Sequence, residues 1–200
     1  MVKAARSAIE LRTSGPKQEA PPQPKLADGF DQMNGIFVTL ERYPSKELRG
    51  CIGFPKAIAP IRDSVAQAAI AAAFEDPRFY PVSAAELGKL TIEISVLSSP
   101  TVIEGRPEKR MEAVKVGRDG LIIERGIYSG LLLPIVPVEQ GWDEATFLSE
   151  TCAKAGLHGD CWTLPDSRLY KFESQIFREE TPGGRVVEVD LAGTLPRKTY

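Results

Sequence analysis

Hydrophobic and polar residues alternate along Leu90–Leu97. Ile92, Ile94 and Val96 fall on one face and Thr91, Glu93 and Ser95 on the other, the two-residue period of a half-buried strand. Ile36–Leu40 is a run of β-formers that predicts another strand, and Leu48–Phe54 reads as its hairpin return after a turn at Tyr43–Lys46. The period then changes. Between Pro60 and Phe74, Ile61, Val65, Ala68, Ala69 and Ala72 recur at helical spacing, with Pro60 suited to the first helical position. A shorter helix is predicted over Ala4–Leu11, and a second strong one over Asp143–Ala155, capped by Asp143 and ended by Gly156. Asp119-Gly120 reads as a tight turn between Val114–Val116 and Leu121–Glu124. Leu131–Leu133 is a buried extended segment cut off by Pro134 and Pro137, and Tyr170–Ile176 is the last strand.

Hairpins outnumber strand-helix-strand units, so the pattern predicts an α+β fold with antiparallel sheets and flanking helices. The proline-rich stretch Pro16–Gly29 reads as a loop or tether, and residues 181–200 as a C-terminal tail after a domain spanning 4–180.

Composition removes several functions. The 200 residues carry 25 Lys and Arg against 27 Asp and Glu, a net charge of -2. A general nucleic-acid binder would carry a basic excess. No apolar run approaches a membrane span and no signal-peptide pattern opens the chain, so the cytoplasm is the expected location. The single asparagine, Asn34, hints at a thermophilic source. His158 is the only histidine, which excludes zinc sites built on two or three histidines and leaves any Ser-His-Asp triad dependent on His158. Nucleotide-binding glycine loops and metalloprotease motifs are absent, and no cofactor or metal is expected.

The chemistry concentrates at Leu48-Arg49-Gly50-Cys51-Ile52-Gly53. On a strand, Arg49 and Cys51 share a face, and a guanidinium beside a thiol favours the thiolate. Gly50 and Gly53 thin the strand where a ligand could approach, or where a bulge forms. That pattern suits a reactive cysteine, an anion site or a buried cysteine in a tight hairpin. Glu93 lies on a solvated face, or turns into a cleft to act as a base or to pair with Arg49 or Arg78. Cys152, His158 and Cys161 form a second group that could join Cys51 in a zinc set, although Cys152 also has a core role on its helix. Three cysteines cannot all pair within the chain, so a disulfide scaffold is not expected.

These blocks resemble the AMME chromosomal region gene one family, the AMMECR domain. LRGCIG at 48–53 matches its signature. Asp76-Pro77-Arg78-Phe79 with Pro81-Val82, Leu90–Pro100, Gly130–Pro134 and Trp142–Leu157 follow in the family's order, and Trp162 comes after them. Ile135 stands where the family often has glutamine. The resemblance implies two unequal lobes around a cleft. It also implies a common site drawn from Arg49, Gly50, Cys51, Gly53, Asp76, Arg78, Glu93 and Cys152. Related domains occur beside Memo-like and radical-SAM proteins, which implies partners in a modification pathway. Two functions follow as expectations. One is a binding or accessory module that recognises a partner protein or a small anionic ligand through the cleft. The other is an enzyme with Cys51 as nucleophile, Glu93 as proton carrier and Arg49 stabilising the thiolate.

Overall fold

A computed structural model describes residues 1–14, 34–57 and 59–191. The tether predicted over Pro16–Gly29 lies outside the described residues. The chain divides into two unequal units, the first made of Met1–Leu97 with Gln175–Val189, the second built on Ser98–Ser174. The fold is α+β, as the periodicity predicts.

The first unit contains α1 (Val2–Ser14), β1 (Gly35–Arg42), β2 (Glu47–Phe54), α2 (Ile61–Phe74), α3 (Ala84–Leu87) and β3 (Leu90–Leu97). It also holds the last residues of β7 (Arg168–Glu179) and all of β8 (Val186–Val189). Its strands run in the order β2-β1-β3-β7, with β8 on β7. Alternation decides which face is covered. Ile36, Val38 and Leu40 of β1 stand opposite Val96, Ile94 and Ile92 of β3. This apolar face packs on Val2, Ala5 and Ile9 of α1 and on Ile61, Val65, Ala68, Ala69, Ala72 and Ala73 of α2. The apolar stripe read from the α2 spacing is therefore buried. Alanines at its contact positions let the α2 backbone come close to the sheet, because a methyl group sets the spacing. Arg6 of α1 pairs with Glu179 of β7, Nε to Oε1 2.7 Å, and Glu179 also accepts the Ile92 N–H.

The second unit holds β4 (Thr101–Ile103), α4 (Pro107–Glu112), β5 (Asp119–Arg125), β6 (Tyr128–Leu132), α5 (Ile135–Gln140), α6 (Glu144–Lys154), a 3-10 turn at Cys161–Thr163, and the first part of β7. Strand β7 lies between β4 and β5, and β6 follows β5. Phe147, Leu148 and Cys152 of α6 pack on Leu121, Ile123 and Leu169. Asp143 caps α6 by accepting the Thr146 N–H at 2.8 Å, as expected.

Two local readings change. Asp119-Gly120 is the start of β5 rather than a hairpin turn. Asp119 is buried and accepts the Lys115 N–H and the Arg118 guanidinium, so its carboxylate closes the turn before the strand. Gly120 is required because a Cβ there would stand 2.4 Å from the Phe172 ring. The hairpin turn falls at Gly126, φ 60°, in the left-handed region that glycine favours. Residues Val186–Val189, read as part of the tail, pair with Ile176–Glu179 as β8.

Candidate functional site

The site begins at the edge of the first unit's sheet. Strand β2 pairs with β1, with Cys51 opposite Thr39 and Gly50 opposite Leu40. The register then slips, since Glu41 is opposite Leu48, and Arg49 is the additional residue of a bulge. Alternation alone could not show this. The bulge turns the buried Arg49 side chain to α3 and to the loop after α2. Arg49 Nε and Nη2 donate to Glu86 Oε1 and Oε2 at 2.6 and 3.1 Å, and Nη2 also donates to the Tyr80 carbonyl at 2.7 Å. The Arg49 guanidinium draws the Glu86 carboxyl below its ordinary pKa.

The other side of Cys51 is closed by the Asp76-Pro77-Arg78-Phe79 loop. Asp76 Oδ2 accepts the Cys51 N–H at 2.9 Å, and Arg78 Nη2 donates to the Cys51 carbonyl at 3.4 Å. Together, a carboxylate and a guanidinium satisfy the edge peptide as a neighbouring strand would, which also blocks that edge from pairing elsewhere. Arg78 Nε and Nη2 grip Asp76 at 2.9 and 2.7 Å. That hydrogen-bonded pair holds the Asp76 carboxyl far below its ordinary range and raises Arg78. The ring of Phe79 lies 5.5 Å from both the Arg49 and the Arg78 guanidinium carbons, a cation–π distance for each.

The two arginines are used alike. Each spends Nε and Nη2 on a carboxylate, and Nη2 again on a main-chain carbonyl. Each keeps Nη1. Arg49 Nη1 is buried and has no hydrogen-bond partner, although the whole side chain is only 5% exposed. Arg78 is 53% exposed.

Thr39 joins Cys51 to Glu93 across the sheet, being opposite Cys51 on one side and Glu93 on the other. Its hydroxyl donates to Cys51 Sγ at 3.4 Å. Glu93 is buried, and its partner is Arg178 of β7, Nε to Oε2 2.6 Å. The pairing expected with Arg49 or Arg78 does not form, and neither does the solvated face. The thiol also departs from expectation. Burial pushes the Cys51 thiol up. The Thr39 hydrogen bond and Arg78 oppose this, while Asp76 and Glu93 add to it. The cation that acts on the sulfur is Arg78, and the net direction disfavours a thiolate.

Gly50 and Gly53 have packing explanations. A Cβ at Gly50 would stand 2.2 Å from the Ala72 carbonyl oxygen on α2, and one at Gly53 would stand 2.2 Å from the Ile36 carbonyl oxygen on β1. Cys152 is not among these residues. It belongs to the second unit, where it forms a disulfide with Cys161, which also removes both from any zinc set. No group of three or more metal-ligating side chains occurs among the described residues. His158 is exposed and contacts Asp160 at 2.8 Å. The sequence reading missed Thr39, Phe79, Glu86 and Arg178. Phe79 was visible beside Arg78, but the others lie far from their partners in sequence.

The fold and this cluster define an α+β domain whose signature hairpin carries a buried arginine, an edge cysteine and a clamping Asp-Pro-Arg-Phe loop. The chain belongs to the AMMECR1 family, whose profile matches residues 2–177. It is 53% identical to a protein of Thermococcus gammatolerans, covering 93% of this chain and 92% of that one. It is 50% identical to protein MK0488 of Methanopyrus kandleri, covering 96% and 93%. The crystal structure of the uncharacterised protein PH0010 from Pyrococcus horikoshii matches with a TM-score of 0.87 at 51% identity, covering 94% of each chain. Among the described residues, no helix is long and apolar enough to cross a membrane.

Proposed function

We propose that this chain is a binding or accessory module, and that the Arg49–Arg78–Phe79 cluster takes a small ligand that presents an oxygen acceptor, a carboxylate among the candidates. One observation carries the reading: Arg49 and Arg78 converge on one ring, Phe79, at 5.5 Å each, and Arg78 is 53% exposed. The exposed Arg78 guanidinium, held over the ring by Asp76, is the cation of the cluster that a ligand can reach. The cysteine-enzyme alternative gains no support, because the Cys51 thiol is pushed up and Glu93 is committed to Arg178. In this reading the module works in the cytoplasm beside Memo-like and radical-SAM proteins of a modification pathway. A disulfide there fits the thermophilic archaeal relatives, whose intracellular proteins are an exception to the usual absence of such bonds.

The test is a titration of the full chain with sodium acetate, followed by the backbone amide NMR signals of Phe79 and Tyr80. A saturable shift in the native protein that is lost in Arg78→Gln supports the site. An absent or non-saturating shift, or one unchanged by that substitution, counts against a carboxylate ligand.

A further inference from the structure

The strand edges of this fold are protected unequally. The edge peptide of β2 at Cys51 is closed by Asp76 and Arg78. Strand β4 is three residues long, and β8 is four residues long and carries Glu188. Short length and charge both discourage a further strand from pairing. Strand β6 has neither device. Among the described residues it ends the strand order beyond β5, and no strand lies on its outer side. From 128 to 134 the chain reads Tyr-Ser-Gly-Leu-Leu-Leu-Pro, without a single charge.

The register shows what this edge presents. Tyr128 stands opposite Arg125 across the two-residue turn Gly126-Ile127, so its main-chain groups turn to β5. Alternation then turns the N–H and carbonyl of Ser129 and Leu131 outward. Side chains alternate as well. Leu132 packs on the core beneath α6, and a Cβ on Gly130 would stand 2.6 Å from the Ala155 nitrogen at the end of that helix. Leu131 therefore projects from the opposite face. There it ends a cross-strand row, Val102–Tyr170–Ile122–Leu131, paired across β4, β7, β5 and β6. Ile122 is buried within the row, and the row stops at the unpaired edge in half-buried Leu131. At the hairpin tip Ile127 is 93% exposed and Tyr128 51%, in a place where small and polar residues are usual.

A strand that fits this edge has no charge, sets an apolar side chain against Leu131, and offers apolar surface to Ile127 and Tyr128. Strand β6 is itself such a strand. We propose that the chain self-associates through β6 as a two-fold dimer, with the second unit's sheet continuing from one copy into the other. The axis passes at Leu131, so Leu131 of each copy meets Leu131 of the other and the two apolar rows become one. Antiparallel pairing sets Ser129 opposite Leu133 of the second copy and brings each Ile127–Tyr128 tip to the half-buried Leu132–Leu133 end of the other. Each contact is made twice, as an isologous interface requires. A charged edge would repel its own image, and this one carries no charge to do so.

The experiment weighs the full chain by sedimentation equilibrium over a range of concentrations and follows amide hydrogen exchange in β6. The expected result is a mass twice that of one chain at high concentration, with exchange at Ser129 and Leu131 slowed at least about tenfold on association. Leu131→Lys places a charge at the axis, and Ser129→Pro removes an outward N–H that β5 does not use. Each should return the mass to one chain while its far-ultraviolet dichroism stays native. A native chain that remains single at every concentration overturns the proposal. In that case, protection of the Ser129 and Leu131 amides by an added acetylated peptide of residues 128–134 would assign the edge to a strand of another protein. A dimer that survives both substitutions, or one that leaves these two amides unprotected, also overturns the proposal, because its interface then lies elsewhere.

Discussion

Asp76 accepts the main-chain N–H of Cys51 at 2.9 Å while its other oxygen holds Arg78. One carboxylate thus joins the edge of β2 to the loop that follows α2, and couples the family's two signature segments through a backbone bond. Removing it leaves the Cys51 N–H and the Arg78 fork without their acceptor. Asp76→Ala is expected to lower stability by about 1–3 kcal/mol, and Asp76→Asn by less, since it keeps an oxygen for Cys51. Urea unfolding at neutral pH checks both.

The same carboxylate sets an acid dependence. Its folded pKa lies below its unfolded value, mainly through Arg78. Its contribution is therefore fully present above about pH 4, near the unfolded value, and fades as pH falls below that. Glu86, lowered by Arg49, acts in the same direction. The stability gap between the native protein and Asp76→Asn is expected to shrink steadily as pH falls from about 4 to about 2. A gap that widens on acidification would contradict the pairing with Arg78.

Cys51 is expected to react slowly. Burial and two neighbouring carboxylates hold its thiol above the ordinary value, against Thr39 and Arg78. Alkylation by iodoacetamide in the folded chain should lag that of the urea-unfolded chain at pH 7, and its midpoint should lie above about 8.5. Arg78→Gln removes the one favourable cation and should raise the midpoint further. A midpoint below 7 would restore the nucleophile reading.

The apolar half of this fold was legible from spacing alone, because burying a stripe requires only a period. The residues Ile61, Val65, Ala68, Ala69 and Ala72 declare their face, and so do Ile92 and Ile94. The polar half was legible only as a list of residue types. Arg49 and Cys51 were placed on one face by strict alternation, which a bulge at Arg49 interrupts. Glu86 is 37 residues from Arg49, and Arg178 is 85 from Glu93. Such pairs are made by topology, which leaves no periodic trace. Asp119-Gly120 misled for a related reason. Its glycine serves the Phe172 ring across the sheet, not a local turn.

Gly50 supplies a test of that packing explanation. A methyl group there meets a main-chain oxygen of α2 at 2.2 Å, and neither the helix nor the strand can yield cheaply. Gly50→Ala is expected to cost about 1–3 kcal/mol, the range for overpacking. Gly88 provides the control: its φ is -64°, and its nearest neighbour would be 4.0 Å away. Gly88→Ala should be neutral or slightly stabilising. Equal costs at the two positions in thermal unfolding would remove close approach as the reason for Gly50.

The Cys152–Cys161 disulfide predicts a redox-dependent stability confined to the second unit. Cys152 is in the last turns of α6 and Cys161 opens the 3-10 turn, nine residues on, with both side chains buried. A bridge closing a loop of this size contributes about 2–3 kcal/mol by restricting the unfolded chain. Reduction should therefore lower the Tm, by about 4–12 °C where the whole chain unfolds cooperatively. The double substitution Cys152→Ala, Cys161→Ala should lower it similarly and make the protein indifferent to reductant. Cys51→Ala should leave the response to reductant intact, because Cys51 is outside the bridge. Loss of that response in Cys51→Ala would mean that the three thiols exchange, and that the Cys152–Cys161 bond is not a fixed staple.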